Sequence, residues 1–205
     1  VGSEMCIRDR QDPERIVFVP AMGWQDYNYI KYARVAEEDP NAVVSFHYYL
    51  PMLLSHYKML AWVGYQGAVQ YPGVVIPTQS DADKYPQYAS FHKTTYNADR
   101  IMGEMSNAAS DGRNAGLAVH CGEFGCSKNV AEAMRLAWFT DMVAAMEANN
   151  IPWTLWECLD GGFGFVDMEY GIYRINCPLL KVLTGKELTD AEAKVLLQKY
   201  GFKTE

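Results

Sequence analysis

The chain has 205 residues, 49% of them apolar and 21% charged, which fits one globular domain within the usual span of about 50–250 residues. A net charge of −7 and a pI near 5.1 argue against nucleic acid as a partner, because phosphate backbones are held by clustered basic surface, and against an anionic membrane. Neither an uninterrupted apolar run of about 18 residues nor a basic-then-apolar leader pattern is visible, so the sequence shows no membrane span and no export signal.

Val1 to Arg10 match neither the periodicity nor the composition of the remaining chain, and read as a non-native segment that leaves residues 11–205 as the domain. Ile16 to Val19 is the first apolar run of strand length. Asp26 to Ala36 has Tyr29, Tyr32, Ala33 and Ala36 at helical spacing and predicts a short helix. Ala42 to Phe46 is the second strand, entered from Asp39-Pro40-Asn41. From His47 to about Lys93 the chain is rich in Pro, Gly and aromatics and reads as one long loop. That is far beyond an ordinary βα connection, and such loops are usually functional.

Thr95 to Ala109 predicts a helix stopped by Asp111-Gly112, with Ala98, Ile101, Met102 and Met105 on one face. Leu117 to Cys121 is the third strand. The next helix runs from Asn129, with Glu132 completing a capping-box pattern, to Asn149-Asn150. Pro152 to Trp156 is the fourth strand, followed by the Gly161-Gly162 loop, a short segment near Pro178 to Leu183, and a helix from Thr189, with Glu192, to Tyr200.

Strands alternating with helices form parallel βαβ units. Four units cannot close an eight-stranded barrel, and a bare four-stranded parallel sheet exposes unpaired backbone at its edges. The expected fold is therefore α/β: the carboxyl-terminal half, about four β/α units, of a (β/α)8 TIM barrel.

The chemistry concentrates at Gly122-Glu123-Phe124-Gly125, where a carboxylate ends a buried strand between two glycines that permit close approach. A solvated Glu in a strand-to-loop turn fits the same four residues, so the rest of the chain decides between them. The five cysteines, Cys6, Cys121, Cys126, Cys158 and Cys177, are too widely spaced for a disulfide scaffold and read as buried thiols. His120, Cys121 and Cys126 lie close in sequence but lack a second ligand pair at zinc spacing, so no metal is expected. A serine hydrolase is disfavoured by the lack of a G-x-S-x-G elbow, and a dinucleotide enzyme by the lack of G-x-G-x-x-G.

Three signatures in order resemble the retaining glycoside hydrolases of family 5, the cellulase and mannanase family, over most of Arg15 to about Leu183. Phe46-His47-Tyr48-Tyr49, with Pro51 and Ser55-His56, resembles the sixth-strand segment. Gly122-Glu123-Phe124-Gly125 resembles the seventh-strand nucleophile motif. Trp153 and Trp156 followed by Gly162-Phe163-Gly164 resemble the eighth strand. Ser55-His56-Tyr57 departs from the Thr-His-Gln of many relatives.

The resemblance implies a cofactor-free endo-acting β-glycanase on a β-glucan or related polysaccharide or oligosaccharide, secreted or extracellular when complete. It assigns Glu123 as the attacking carboxylate, with His47 and Tyr49 as donors to that carboxylate or to a sugar hydroxyl. It makes Trp156 the sugar platform and puts Trp24 in the same cleft, while His56 and Trp62 are candidate substrate contacts because they lie in the long loop, where a purely structural role fits them equally. Beside these roles stand structural ones: His47 as a hydrogen-bonded core imidazole, and Tyr48 and Tyr49 as packing residues on opposite sides of a strand. Trp153 and Trp156, three apart, face opposite ways in an extended strand, and the resemblance places Trp156 in the cleft.

The acid/base Glu of the family's Asn-Glu-Pro motif has no counterpart, since no Asn-Glu pair occurs in the chain. The expectation is an enzyme part inactive by itself. The alternative is a catalytically incomplete barrel that binds carbohydrate without cutting it.

Overall fold

The structure is a computed structural model that describes residues 10–35, 39–59, 61, 63–159 and 161–204. In chain order the principal elements are β1 (Val17–Pro20), β2 (Ala42–Tyr48), α1 (Ala98–Ala115), β3 (Ala118–Phe124), α2 (Glu132–Ala148), β4 (Val166–Glu169), β5 (Ile172–Ile175), α3 (Cys177–Thr184) and α4 (Asp190–Lys199). They fall into two compact units. One comprises the stretch ending at Tyr48 with Gly103–Phe124 and Met146–Thr154; the other comprises Tyr49–Met102, Gly125–Ala145 and the chain from Leu155 onward. The proposed non-native segment lies, apart from Arg10, outside the described residues.

The first unit is built on a parallel sheet in the order β1-β2-β3, with Val17 opposite Ala42 and Val43 opposite Ala118. Its β-branched runs favour extended backbone, and one side of β2 (Ala42, Val44, Phe46 and Tyr48) is buried. The expected fourth strand is reduced to a parallel bridge between Cys121 and Trp153. Pro152 has no N–H, so pairing begins at its carbonyl, which accepts from the Cys121 N–H at 2.9 Å, and ends where the Thr154 N–H donates to Cys121 O at 2.9 Å.

Several helix boundaries differ from expectation. The helix at 26–36 is a 3-10 segment, Tyr27–Tyr32, capped by Asp26, whose Oδ1 accepts from the Asn28 N–H. Four of its six residues are aromatic or β-branched, which are mediocre helix formers, and Ala33 is already extended. Residues 36–38 lie outside the described residues. Helix α1 starts later than Thr95, because Thr95–Tyr96 pair with Gly73–Val74 and Asn97 Oδ1 caps the Arg100 N–H.

Helix α1 also runs through Asp111-Gly112 to end at Gly116, which has φ +71°. Gly112 is there for packing: a Cβ on it would lie 2.0 Å from Val119 Cγ2. Ala in a helix interior gains about 1 kcal/mol over Gly, whereas overpacking costs about 1–3 kcal/mol. Contact this short puts the cost at the upper end, so Gly112→Ala is expected to lower stability by about 1–2 kcal/mol. A urea midpoint at or above the wild-type value contradicts that.

In the second unit the stretch expected as one loop contains a helical turn at Met52–Ser55, a helix at Gln79–Lys84, a 3-10 segment at Pro86–Lys93 and the short antiparallel pair at Gly73–Val74. Side-chain to backbone bonds hold it together: Tyr57 Oη donates to Gly67 O and Tyr88 Oη to Val63 O. Helix α2 begins at Glu132 without the expected capping box. The Asn129 N–H donates instead to Ser127 Oγ, and Glu132 Oε1 accepts from Asn176 Nδ2.

Strands β4 and β5 form a hairpin whose turn residues Tyr170 and Gly171 have φ +51° and +76°. That hairpin was not expected. The segment near Pro178 is α3, capped by Asn176 Oδ1, and α4 has the anticipated capping box between Thr189 and Glu192. Among the described residues no helix is long and apolar enough to cross a membrane.

Candidate active site

Parallel strands end at one edge of the sheet, and in the first unit that edge gathers the ends of β1, β2 and β3. Along β3 Val119 and Cys121 are buried, and strict alternation would send Glu123 to their side. The register prevents this. Phe46 pairs with Cys121 but His47 pairs with Glu123, so Gly122 is an inserted residue, a β-bulge.

The bulge exchanges the two faces beyond it. Phe124 turns inward, fully buried and edge-on to Trp153. Glu123 Oε2 comes to 3.3 Å from His47 Nδ1, with the two side chains 29% and 20% exposed. The expected strand-end carboxylate and its imidazole partner are thus brought together.

Next to them are Ser45 and His120. Ser45 Oγ contacts His120 Nδ1 at 3.4 Å, His120 Nε2 contacts Thr154 Oγ1 at 3.1 Å, and Phe18 packs edge-on against the ring. Hydroxyls thus meet both ring nitrogens of His120, which gives the imidazole structural partners across β2, β3 and the Trp153 bridge. Cys121 is buried and its thiol is pushed far up, while burial holds the Cys126 thiol at about 12. Tyr48 points into the unit, its hydroxyl donating to Glu104 Oε2. Trp24 follows β1 and is 98% exposed. It sits in a left-handed turn in which Gly23, Trp24 and Gln25 all have φ near +63°, a conformation costing non-glycine residues about 1–2 kcal/mol each.

In the second unit Tyr49, His56 and Phe163 form a cluster, with ring centroids 4.9 Å apart for Tyr49–His56 and 5.2 Å for His56–Phe163. Ser55 Oγ donates its one proton to Tyr49 O, so at 2.9 Å it accepts from the Nδ1–H of His56, and His56 Nε2 is left as an acceptor. Trp156 is 46% exposed. A Cβ on Gly125 would lie 2.3 Å from Trp156 O, which accounts for the second glycine of the motif. Glu157, adjoining Trp156, has a buried Oε1 without a hydrogen-bond partner among the described residues. Trp62 lies outside the described residues.

Cys158 is exposed and Cys177 half-buried, a departure from the expectation of buried thiols. Sequence reasoning missed Ser45 and the structural role of His120. Both are ordinary residues within apolar strands, and only their pairing across β2 and β3 reveals them.

Burial lowers the pKa of His47, His56 and His120 below 6.5, and at His47 the Glu123 carboxylate partly opposes this. Unfolded imidazoles take up a proton near pH 6.5 while the folded ones wait for lower pH, so the unfolded state binds more protons in between. Stability is therefore full above pH 6.5 and falls as pH drops through it toward the folded values. The urea midpoint is expected to be lower at about pH 5.5 than at about pH 7.5, with His56→Gln and His120→Gln each flattening the difference. A midpoint that holds level or rises on acidification contradicts it.

The family model described as Cellulase (glycosyl hydrolase family 5) matches residues 5–162. The chain belongs to that family. Among curated relatives of this family-5 chain, Endoglucanase C of Acetivibrio thermocellus is 22% identical over 143 residues, 66% of this chain and 39% of the relative. Several solved structures resemble this chain. The cellulose synthase subunit Z of Clostridioides difficile has a TM-score of 0.67 at 20% identity, over 89% of this chain and 53% of that one. A hyperthermophilic endo-β-1,4-glucanase in complex with substrate has a TM-score of 0.65 at 22% identity, over 87% of this chain and 50% of that one. These likenesses show the fold, the α/β fold of TIM-barrel glycosidases. The family-5 chain thus spans about half the length of the solved structures and less of the curated relative.

Proposed function

We propose that this chain supplies the nucleophile half of a retaining endo-β-1,4-glucanase, the carboxyl-terminal half of a (β/α)8 barrel. The observation that carries the proposal is the bulge at Gly122, which turns Glu123 out of the buried face and sets it against His47 at the carboxyl edge of the sheet. A carboxylate so placed, partly exposed and with a neutral imidazole beside it, suits attack on an anomeric carbon. Glu123 Oε forms the bond to C1 as the C1–O bond breaks, and the leaving oxygen takes a proton from a second carboxylic acid. Water activated by that same group then releases the sugar from Glu123, the two carboxyl groups being about 5–5.5 Å apart in such enzymes.

The second carboxyl group belongs to the other half-barrel, because the chain has no Asn-Glu pair. His47 is assigned as a donor to the carboxylate or to a sugar hydroxyl, and Trp24 offers an exposed ring face. Tyr49, His56, Trp62 and Trp156 are the further residues assigned to the substrate. The substrate class, β-1,4-linked glucan, is the one named for the similar endo-β-1,4-glucanase structure, and the complete enzyme acts outside the cell, where such polymers lie.

The test joins this chain to the amino-terminal half of a family-5 relative and follows release of reducing sugar from soluble cellulose and mixed β-glucan. Turnover on either substrate is the expected result. Saccharide binding that quenches Trp fluorescence with no hydrolysis replaces the proposal with a binding barrel. Activity on mannan alone replaces the substrate.

A further inference from the structure

The bulge that turns Glu123 needs something to hold it, and the contact beside Gly122 is specific. A Cβ on Gly122 would lie 2.5 Å from Ser45 Oγ, and the next nearest atoms, His47 Cδ2 and Nε2, are at 3.6 Å. Ser45 is 8% exposed. Its hydroxyl is not idle, since it meets His120 Nδ1 at 3.4 Å while His120 Nε2 is engaged by Thr154 and the ring is braced by Phe18. Rotating the hydroxyl away from Gly122 would cost it the imidazole.

We infer that Ser45 is a positioning residue for Glu123: its hydroxyl, held by His120, is the stop on which Gly122 seats, and this seat fixes the bulge that aims the carboxylate at His47. Its relevance to catalysis rests on the proposed glucanase reading, but the interlock itself is a property of the folded chain. The stop works in both directions. An added methyl at Gly122 collides with the hydroxyl and pushes Glu123 off His47, whereas removal of the hydroxyl leaves the bulge unsupported. Made together, the two changes offset each other, because the added methyl occupies the space vacated by Oγ and the next neighbours, at 3.6 Å, are at ordinary contact distance.

The experiment uses the full chain with ring-labelled histidines and follows the four imidazoles by NMR against pH, assigned through single His→Gln variants. Glu123→Gln serves as the reference: loss of the neighbouring negative charge lowers the His47 midpoint further. Gly122→Ala is expected to move His47 most of the way to that reference, Ser45→Ala part of the way, and the double variant Ser45→Ala/Gly122→Ala to return it to the wild-type midpoint. A residue that only filled space would leave the His47 midpoint where it is.

A Gly122→Ala chain with a wild-type midpoint, or a double variant no closer to wild type than the single, overturns the inference. Should Gly122→Ala fail to fold, the double variant decides: folded with a wild-type His47 midpoint is expected, and unfolded or displaced overturns it. The readout needs no turnover. Failure of the glucanase proposal appears as absence of hydrolysis in the joined enzyme, while failure of the interlock appears in the His47 titration alone.

Discussion

Glu123→Gln in the joined two-half enzyme is expected to lower kcat/KM on soluble cellulose by about 100,000-fold, equivalent to about 7 kcal/mol of lost transition-state stabilisation. An amide at this position cannot form the glycosyl-enzyme bond, and covalent catalysis has no second route through the same site. The size of the effect separates Glu123 from its neighbours. In the proposed mechanism His47 supplies a hydrogen bond and an orientation, so His47→Gln is expected to cost about 100-fold, in the range of single general acid–base or donor contributions.

The same logic separates it from Glu157, whose carboxylate lies against Gly161 with one buried oxygen lacking a hydrogen-bond partner among the described residues. Glu157→Gln alters folding or substrate binding while leaving a measurable kcat. Azide offers a further discriminator, because Glu123→Gly opens space for a small anion to attack C1 from the nucleophile's side and yields a glycosyl azide of inverted configuration. Retention of turnover in Glu123→Gln, or azide products from Glu157→Gly instead, contradicts the assignment.

Arg135→Ala is expected to be the most destabilising substitution in the second unit, by about 4–6 kcal/mol. The side chain is 2% exposed, and its guanidinium is spent on backbone. Nε donates to Cys126 O at 2.9 Å, and Nη2 donates to Phe163 O at 2.5 Å and Gly164 O at 2.8 Å, with the group lying over the Phe139 ring. Each carbonyl left without its donor costs about 1–3 kcal/mol, and the truncated stem leaves a void besides.

A buried cation is itself expensive, and burial draws the Arg135 pKa down while Cys126, Glu132 and Asp167 oppose the shift. Three directed bonds outweigh that cost only with the planar fork intact, so Arg135→Lys keeps the charge and still loses about 2–3 kcal/mol. Denaturant titration of the chain measures both variants. An Arg135→Ala midpoint within about 1 kcal/mol of wild type contradicts the role given to the guanidinium.

The order of the parallel elements was legible because it depends on composition. Valine-rich runs separated by helical periodicity yield β1, β2 and β3 in sequence order, and the parallel bridge at Trp153 continues the series. The ends of elements were less legible. Gly112 reads as a helix stop, but its missing Cβ serves a contact with Val119 that only the packed sheet reveals. The β4–β5 hairpin escaped notice because its first turn residue is Tyr170, not Asn, in the left-handed region.

At the candidate site, the strand-end position of Glu123 was legible from its two glycines, but the reason for them was not. By strand period alone Glu123 belongs with Val119 and Cys121 on the buried side, and the inserted Gly122 becomes apparent only through its cross-strand partner. Ser45 and His120 are hidden for the same reason, since each acquires its role from a strand that is distant in sequence.

A fluorinated cellobioside with a dinitrophenolate leaving group tests the central claim most directly, because that leaving group departs without a proton and the fluorine slows release of the trapped sugar. Incubated with the joined enzyme and mapped by mass spectrometry of its peptides, the label is predicted on Glu123 alone, one sugar per chain. Label on any other carboxylate, or an enzyme that turns over substrate yet carries no label, contradicts it.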